Sequence, residues 1–327
     1  MTRLKVAVGI VISLALLGLL LVSVDLAALV RELGRTHWGW TLVGAALAPA
    51  GLWVRARRWH YLFPPESGPL ALVPATMIGY MVNGVLPLRA GELVRVYVVA
   101  RRWHRGFWTT LATLIVERVL DSLAIILILG GLVLFIPVPG VFRWAALTLL
   151  VVDVAAIATL VALAAAPDAC RRLLGGLTRR WPGLAERLGG VFDRFVDGLD
   201  GIRTPAHLPP LILWTVAVWA VPGLAAWVTF RATGLDLPWA AAAAVLAFVG
   251  IGISIPSAPG YVGVFHYAAV VALEMFEVSR TAALSYAIVF HASQMLAITV
   301  TGWLFLVREQ LSLGEATRAR PEAAADP

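Results

Sequence analysis

Long apolar runs separated by short polar stretches dominate this chain of 327 residues. Six of these runs approach or exceed the roughly 20 residues that a helix needs to cross a bilayer. They are Leu4–Val24, Gly39–Val54, Phe107–Ile136, Phe142–Ala165, Leu211–Phe230 and Thr281–Val307. The pattern therefore predicts an all-α polytopic membrane protein with about six full transmembrane helices.

Two further apolar regions, Leu70–Ala100 and Trp239–Phe276, are interrupted by proline and glycine. Counting them raises the total to seven or eight spans by hydropathy. Irregular backbone at membrane depth is tolerated only where protein or water surrounds it, and paired interruptions in two halves of a chain are typical of transporters. Each region could be a re-entrant hairpin or two full crossings. We favour the hairpin, because charged residues in the second arm of the first region would be costly against lipid.

Arginines flank the apolar runs asymmetrically, near residues 3, 55–58, 101–105, 171–180 and 308. Positive residues favour the cytoplasmic side, so both termini are predicted to be cytoplasmic, in a bacterial-type plasma (inner) membrane. The stretch Asp25–Trp38 is then a short external loop. This topology predicts an inverted repeat in which two opposed re-entrant hairpins enter from opposite faces.

A polar segment at residues 167–209 separates the two halves. Its apolar residues fall at helical spacing on one face, which predicts an amphipathic helix lying on the membrane or capping the bundle; a regulatory or partner-binding helix is the alternative. These residues are Leu184, Leu188, Val191, Phe192, Phe195, Val196 and Leu199. We expect one integral membrane domain over residues 1–309 and a disordered cytoplasmic tail over 310–327, rich in Ala, Pro and Glu.

The amino-acid composition limits the classes of ligand and of site that we expect in this protein. Hydrophobic residues make up 60% of the chain and charged residues 14%, with a net charge of +7 that comes almost wholly from arginine. Because these arginines lie beside apolar runs, they point to anionic lipid headgroups and not to nucleic acid. The single cysteine, Cys170, excludes an internal disulfide and a cysteine-based metal site.

The stretch Asn83–Arg95 combines charges with helix breakers inside an apolar region. A helix restarting near Ala90 would direct unpaired backbone amides at the break. The planar guanidinium groups of Arg89 and Arg95 could each donate two hydrogen bonds to a phosphate group. The stretch therefore predicts a phospholipid headgroup site facing a cavity shared with the second break. The alternative is that Arg89, Glu92 and Arg95 pair internally to hold the fold.

Two other clusters bear on this site. Glu117 lies roughly 15 Å into its span at 1.5 Å per residue. It is therefore expected to pair with Arg89 or Arg95, as a structural cross-link or a proton-responsive gate. In the second break a helix restarting near Tyr261 would place His266 in its first turns, as a packing residue or a ligand. No metal-ligand spacing, phosphate-binding loop or nucleophile elbow occurs, so we expect no cofactor, no metal and no catalysis.

Three motifs resemble signatures of the lysylphosphatidylglycerol synthase transmembrane-region family of flippase-like proteins. They are N-x-x-x-P-x-R-x-G-E-x-x-R from Asn83, E-R-x-x-D from Glu117 and P-x-x-P-G-x-x-G from Pro256. The chain departs from the family at His266, where many relatives place glutamate. No synthetase sequence follows the last span, so the resemblance implies lipid handling and not lipid synthesis.

The resulting hypothesis is a flippase-like protein that binds an anionic phospholipid or a lipid-linked precursor and translocates it between leaflets. The alternatives are a non-transporting scaffold for a lipid-modifying enzyme and a membrane-embedded headgroup transferase, for which only Glu117 and Asp121 could serve. Expected partners are membrane lipids and such an enzyme. The candidate binding residues are Asn83, Pro87, Arg89, Gly91, Glu92, Arg95, Glu117, Arg118, Asp121, Pro256, Pro259, Gly260, Gly263 and His266.

Overall fold

The computed structural model describes residues 2–64, 72–86, 89–103, 106–255 and 257–310, and over these ranges the chain is helical with no strand. The all-α prediction is therefore confirmed. The helices are α1 Thr2–Val22, α2 Leu26–Gly34, α3 Trp38–His60, α4 Leu72–Val85, α5 Gly91–Trp103, α6 Phe107–Val133, α7 Gly140–Ala165, α8 Pro167–Thr178, α9 Pro182–Asp197, α10 Asp200–Arg203, α11 Leu208–Ala232, α12 Trp239–Gly252, α13 Val264–Glu274 and α14 Arg280–Arg308. Short 3-10 turns occur at Pro205–His207 and Pro259–Tyr261.

Three described helical stretches are long and apolar enough to cross a membrane: Gly140–Ala165, Pro205–Ala232 and Arg280–Arg308. The pair Ala7–Val22 and Leu26–Gly34, bent by 92°, qualifies as a fourth if it is counted as one broken span. Helices α3 and α6, with 23 and 27 residues, are as long but carry several charged residues. The chain is a multi-pass membrane protein, and the count of six full spans stays a prediction.

The predicted loop at Asp25–Trp38 is wrong, because most of it forms α2. Asp25 caps this helix: its carboxylate accepts hydrogen bonds from the backbone amides of Ala27 and Ala28 at 2.8 and 3.0 Å. Leu29 is buried in the main core. The balanced charges of this stretch are typical of a loop, although the stretch forms a capped amphipathic helix.

Each interrupted apolar region forms two short helices that pack against each other. We call α4 with α5 hairpin 1, and α12 with α13 hairpin 2. Their helices have 11 to 14 residues, so none exceeds about 21 Å, less than the roughly 30 Å of a hydrocarbon core. In hairpin 1 the arms are in close contact: a Cβ atom on Gly91 would lie 1.8 Å from the carbonyl oxygen of Gly79.

The two hairpins approach α14 from its opposite ends. Hairpin 1 packs on the C-terminal half of α14, where a Cβ on Gly302 would lie 2.4 Å from Cβ of Met81. Hairpin 2 ends beside the N-terminus of α14, where Arg280 Nε donates to Glu274 Oε1 at 2.5 Å. The two hairpins therefore contact opposite halves of α14, while the inverted repeat and the depth of the hairpins in a membrane stay predictions.

The tips of the hairpins meet near the middle of α14. A Cβ on Gly260, in the tip of hairpin 2, would lie 3.1 Å from Cε of Met295 and 3.3 Å from the carbonyl oxygen of Gly84 in hairpin 1. Helix α1 closes the other side, because Ser13 Oγ accepts a hydrogen bond from the Ala258 amide at 2.8 Å. The meeting point is thus enclosed by helices.

The polar segment lies at the end of the bundle where α3 ends and α6 begins. Thr109 Oγ1 donates to the Arg194 carbonyl at 2.9 Å, and a Cβ on Gly201 would lie 2.3 Å from the Leu62 carbonyl oxygen. In α9 the apolar face is buried at Val196 but exposed at Leu184. The segment therefore caps the bundle through the C-terminal half of α9, which is one of the two roles expected for it.

A methyl group at Gly91 should destabilise hairpin 1. The nearest atom to its Cβ is a backbone oxygen, which no side-chain rotation can move away. We expect Gly91→Ala to lower the free energy of unfolding by about 1–3 kcal/mol or more, measured as a lower melting temperature of purified protein in detergent. Gly131→Ala is the control, because nothing lies within 4 Å of that Cβ. Equal melting temperatures for the two variants would contradict the close contact between the arms.

Candidate functional site

A cluster of buried charges joins α3, α5 and α6. Helix α3 contributes two arginines near its C-terminal end, α5 contributes an acid and an arginine on one face, and α6 contributes the three residues of its E-R-x-x-D motif. The members are Arg55, Arg58, Glu92, Arg95, Glu117, Arg118 and Asp121. All seven side chains are at most 29% exposed, and the four arginines exceed the three carboxylates by one positive charge.

Glu117 lies at the centre of this cluster with a fully buried side chain. Arg95 donates to both carboxylate oxygens, with Nη1 to Oε1 at 3.1 Å and Nη2 to Oε2 at 2.9 Å. Arg55 Nη1 donates to Oε1 at 3.1 Å, and Arg118 also contacts that oxygen. Such a two-pronged arginine–carboxylate pair is among the strongest hydrogen-bonded contacts in proteins. Of the two arginines expected to pair with Glu117, it is Arg95 that does so.

Asp121 binds the two arginines of α3. Its Oδ1 accepts from Arg58 Nη2 at 2.7 Å and its Oδ2 from Arg55 Nη1 at 2.5 Å. The interpretation of Arg55 and Arg58 as interfacial anchors is therefore wrong; Arg58 is 0% exposed. The i, i+3 spacing of the two arginines, matched by the i, i+4 spacing of Glu117 and Asp121, was the available signal.

Two aromatic rings contact the guanidinium of Arg95 in addition to its carboxylate partners. Its guanidinium lies 4.3 Å from the ring centroid of Trp59 and 5.5 Å from that of Tyr80. Trp59 is itself fixed, since its Nε1 donates to Thr113 Oγ1 at 2.9 Å. Cation–π contact adds to the ion pair, so Arg95 is a structural residue of the cluster.

Arg89 lies at the outer edge of the cluster. Glu92 contacts Arg95 at 3.4 Å and Arg118 at 3.3 Å, while Arg89 Nη2 is 4.0 Å from Glu92 Oε1. The Arg89 side chain is 36% exposed, more than any other member. It therefore pairs only weakly and can contact a ligand.

A cavity of about 190 Å³ lies where the hairpin tips meet α14. Its wall combines the tip glycines Gly84 and Gly260 with apolar side chains of α12, α13 and α14. The polar residues in its lining are Tyr80, Asn83, Arg89, Tyr261, His291, Gln294 and Thr299. Arg95 does not line it, so the expectation that Asn83, Arg89 and Arg95 share one cavity is met by the first two only.

Both tips contain residues with left-handed backbone conformation. Arg89 has φ of 56° and Tyr261 has φ of 59°, and both line the cavity. Gly260 and Gly263 in hairpin 2 also have positive φ, at 68° and 88°. Non-glycine residues in this region are strained and concentrate at functional sites.

The helix after the first tip begins close to its predicted start, whereas the helix after the second tip begins later. Helix α5 begins at Gly91, one residue after the predicted restart and two residues after Arg89. Helix α13 begins at Val264 and not near Tyr261, because the positive φ values of Tyr261 and Gly263 interrupt the helix. His266 Nδ1 accepts from the Gly263 amide at 3.3 Å, so this histidine caps α13.

The remaining candidate binding residues differ in whether and where the structure places them. Pro87 and Pro256 lie outside the residues that the structure describes. Pro259 opens the 3-10 turn of hairpin 2. The Asn83 side chain lies at the contact between the arms, where its buried Oδ1 has no hydrogen-bond partner among the described residues. Within the same ranges, no group of three or more His, Cys, Asp or Glu side chains could hold a metal ion.

Comparison with known proteins adds two matches. A family model described as the lysylphosphatidylglycerol synthase TM region matches residues 6–302. The chain is also similar to "Glycosyltransferase AglD" of Haloferax volcanii, with 25% identity over 360 residues that cover 99% of this chain and 57% of that protein. The chain thus spans little more than half the length of this relative. No solved structure matches.

Removal of the Glu117 carboxylate should destabilise the protein, because it leaves Arg95 buried without its main partner. Breaking a buried ion pair in this way costs about 3–5 kcal/mol, so Glu117→Ala should melt at a markedly lower temperature in detergent. Glu186→Ala, which removes an exposed glutamate of α9, serves as the control. A Glu117→Ala protein that is fully stable but inactive would instead support a gating role for this carboxylate.

Proposed function

The chain belongs to the lysylphosphatidylglycerol synthase transmembrane-region family, and on that basis we propose that it is a flippase-like lipid transporter. In this proposal an anionic lipid headgroup binds in the cavity between the hairpin tips, and the lipid then moves between leaflets. The lipid is an anionic phospholipid or a lipid-linked precursor. The protein itself acts without catalysis.

The position of Arg89 is the observation that carries this proposal. Its side chain lines the cavity, and no carboxylate is among the residues of that lining. Arg89 and the cluster together contain five arginines and three carboxylates, a surplus of two positive charges. A charge at membrane depth is costly and marks a substrate pathway by default. An anion bound beside Arg89 would offset this surplus.

The cavity suits a small anionic group. Helix α5 starts two residues after Arg89, and a helix N-terminus attracts anions through its free amides. Arg89 offers a planar fork to phosphate oxygens, and Asn83, Tyr261 and Gln294 add hydrogen-bonding groups. At about 190 Å³ the space is smaller than the roughly 300–1,000 Å³ of typical ligand pockets. It would therefore admit a headgroup, while the hydrocarbon chains stay in the bilayer.

Transport would follow from the opposed hairpins. In transporters with inverted repeats, a fixed site at the midplane is exposed to each side in turn as one repeat moves against the other. Here the cavity lies between two tips that reach it from opposite ends of α14. We propose that both hairpins are re-entrant and that separating either tip from α14 opens the cavity to one leaflet.

The similarity to a protein named glycosyltransferase favours a second candidate, a scaffold for a lipid-modifying enzyme. This chain covers only 57% of that relative. A catalytic role within the membrane is less well supported, because Glu117 and Asp121 are both bound by arginines and are poorly placed to accept a proton. In the scaffold model the cavity would hold a lipid without moving it.

Replacing Arg89 should weaken anionic-lipid binding without unfolding the protein. We expect Arg89→Ala to raise the Kd of purified protein for phosphatidylglycerol by roughly tenfold or more, and Arg89→Lys to raise it less, since charge-assisted hydrogen bonds contribute about 1.5–3 kcal/mol. Arg143→Ala, an exposed arginine of α7, is the control. Wild-type affinity in a stable Arg89→Ala protein would rule out this site.

A transport assay separates transporter from scaffold. Wild-type proteoliposomes should move labelled phosphatidylglycerol between leaflets faster than empty liposomes do. Gly84→Leu should block this movement by filling the cavity, since its Cβ has room but its longer side chain would meet Met295. If wild-type protein binds the lipid but moves none of it, the scaffold model is preferred.

Topology can be tested with single cysteines after Cys170→Ser. Labels at Arg179 should react only from the cytoplasm, and labels at Arg35 and Asp236 only from outside. Arg35 and Asp236 lie at one end of the bundle, where the His37 amide donates to the Ala232 carbonyl at 2.8 Å. Reaction of Arg35 and Arg179 from the same side would overturn the proposed topology.

A further inference from the structure

Helix α8 begins at the end of a membrane-spanning helix. Helix α7 ends at Ala165 and α8 starts at Pro167, so a single residue separates them. The 26 residues of α7 extend about 39 Å, more than the roughly 30 Å of a hydrocarbon core. Cys170 Sγ lies 3.7 Å from the Ala162 carbonyl oxygen, so the first turn of α8 stays beside the last turn of α7. Helix α8 therefore starts at the membrane boundary.

One side of α8 is an apolar stripe that no other described element covers. Leu173 and Leu177 of α8 and Trp181 of the turn that follows it are spaced four residues apart and are 66%, 70% and 59% exposed. The opposite edge of the helix faces the protein, since Thr178 is buried. Tryptophan at the end of the stripe is typical of membrane interfaces. At the boundary of a bilayer, the medium available to cover this stripe is hydrocarbon.

Exposed arginines accompany the stripe. Arg172, Arg179 and Arg180 are exposed, and no carboxylate in the described part of the chain lies within ion-pair distance of them. Arg171 differs, because its Nη2 lies 2.9 Å from Asp193 Oδ2 of α9. The outer surface of α8 thus combines apolar residues with uncompensated positive charge, the pattern of a helix that lies on an anionic membrane.

We propose that α8 is a membrane-surface helix that binds anionic lipids of the leaflet at this end of the bundle. Leu173, Leu177 and Trp181 insert at the edge of the hydrocarbon. The arginines contact lipid phosphates, and Arg171 joins α8 to α9 and so to the cap of the bundle. This binding surface is separate from the cavity and does not depend on whether the protein transports lipid.

Fluorescence quenching in nanodiscs tests this proposal on the full chain. An NBD label is attached to Leu177→Cys in a Cys170→Ser background, and a matched label to Glu186→Cys on the exposed side of α9. Lipids with a nitroxide near the headgroup should quench the Leu177 label and leave the Glu186 label bright. Iodide in the aqueous phase should quench the Glu186 label and leave the Leu177 label bright.

The charge requirement is tested in mixed bilayers with the nitroxide on either phosphatidylglycerol or phosphatidylcholine. Quenching of the Leu177 label should be at least about twofold stronger when the nitroxide is on phosphatidylglycerol than when it is on phosphatidylcholine. The triple variant Arg172→Gln, Arg179→Gln, Arg180→Gln should lose that preference while keeping its melting temperature. Iodide quenching of Leu177 as strong as that of Glu186 would overturn the proposal. So would a Leu177 label shielded from both quenchers, which would mean that protein covers the stripe.

Discussion

The buried carboxylate of Glu117 is the constraint on which the rest of this structure depends. It binds arginines from α3, α5 and α6, and each of these helices meets the others at that point. Burying a carboxylate in a membrane protein is tolerable only when its oxygens are fully paired, so the three helices must stay in register. Hairpin 1 is thereby held at a fixed rotation. That rotation directs Arg95 into the cluster and leaves Arg89, six residues earlier, at the cavity.

Backbone contact is the second determinant of the site. The arms of hairpin 1 approach at Gly79 and Gly91, and the tip of hairpin 2 approaches hairpin 1 at Gly84 and Gly260. Larger residues at these positions would separate elements whose proximity defines the cavity. This close packing leaves a small cavity between the hairpin tips and α14, with a mainly apolar surface and a few polar groups. Charge supplies the specificity of the site, and small residues supply its geometry.

Much of this arrangement followed from local patterns. The apolar runs, the two breaks and the pairing of Glu117 with an arginine of hairpin 1 were predictable, because each depends on spacing along one segment. The partnership of Arg55 and Arg58 with Asp121 was missed, because positive charge at the end of a span is also typical of the cytoplasmic interface. Which arginine faces the cavity depends on the rotation of α5 about its axis. The ion pair of Arg95 with Glu117 sets that rotation, and the contacts of Arg95 with Trp59 and Tyr80 support it.

The two hairpins differ in how strongly they are attached to the bundle. Hairpin 1 is joined to α6 through a buried ion pair, whereas among the described residues no ion pair holds the tip of hairpin 2, which is attached by contacts such as the hydrogen bond between the Ala258 amide and Ser13 Oγ. Pulling Arg95 away from Glu117 would expose two unlike charges to a medium of low dielectric constant, but displacing a neutral turn would not. The two hairpins therefore differ in stiffness. Thermal motion should concentrate in hairpin 2, whose tip forms one wall of the cavity.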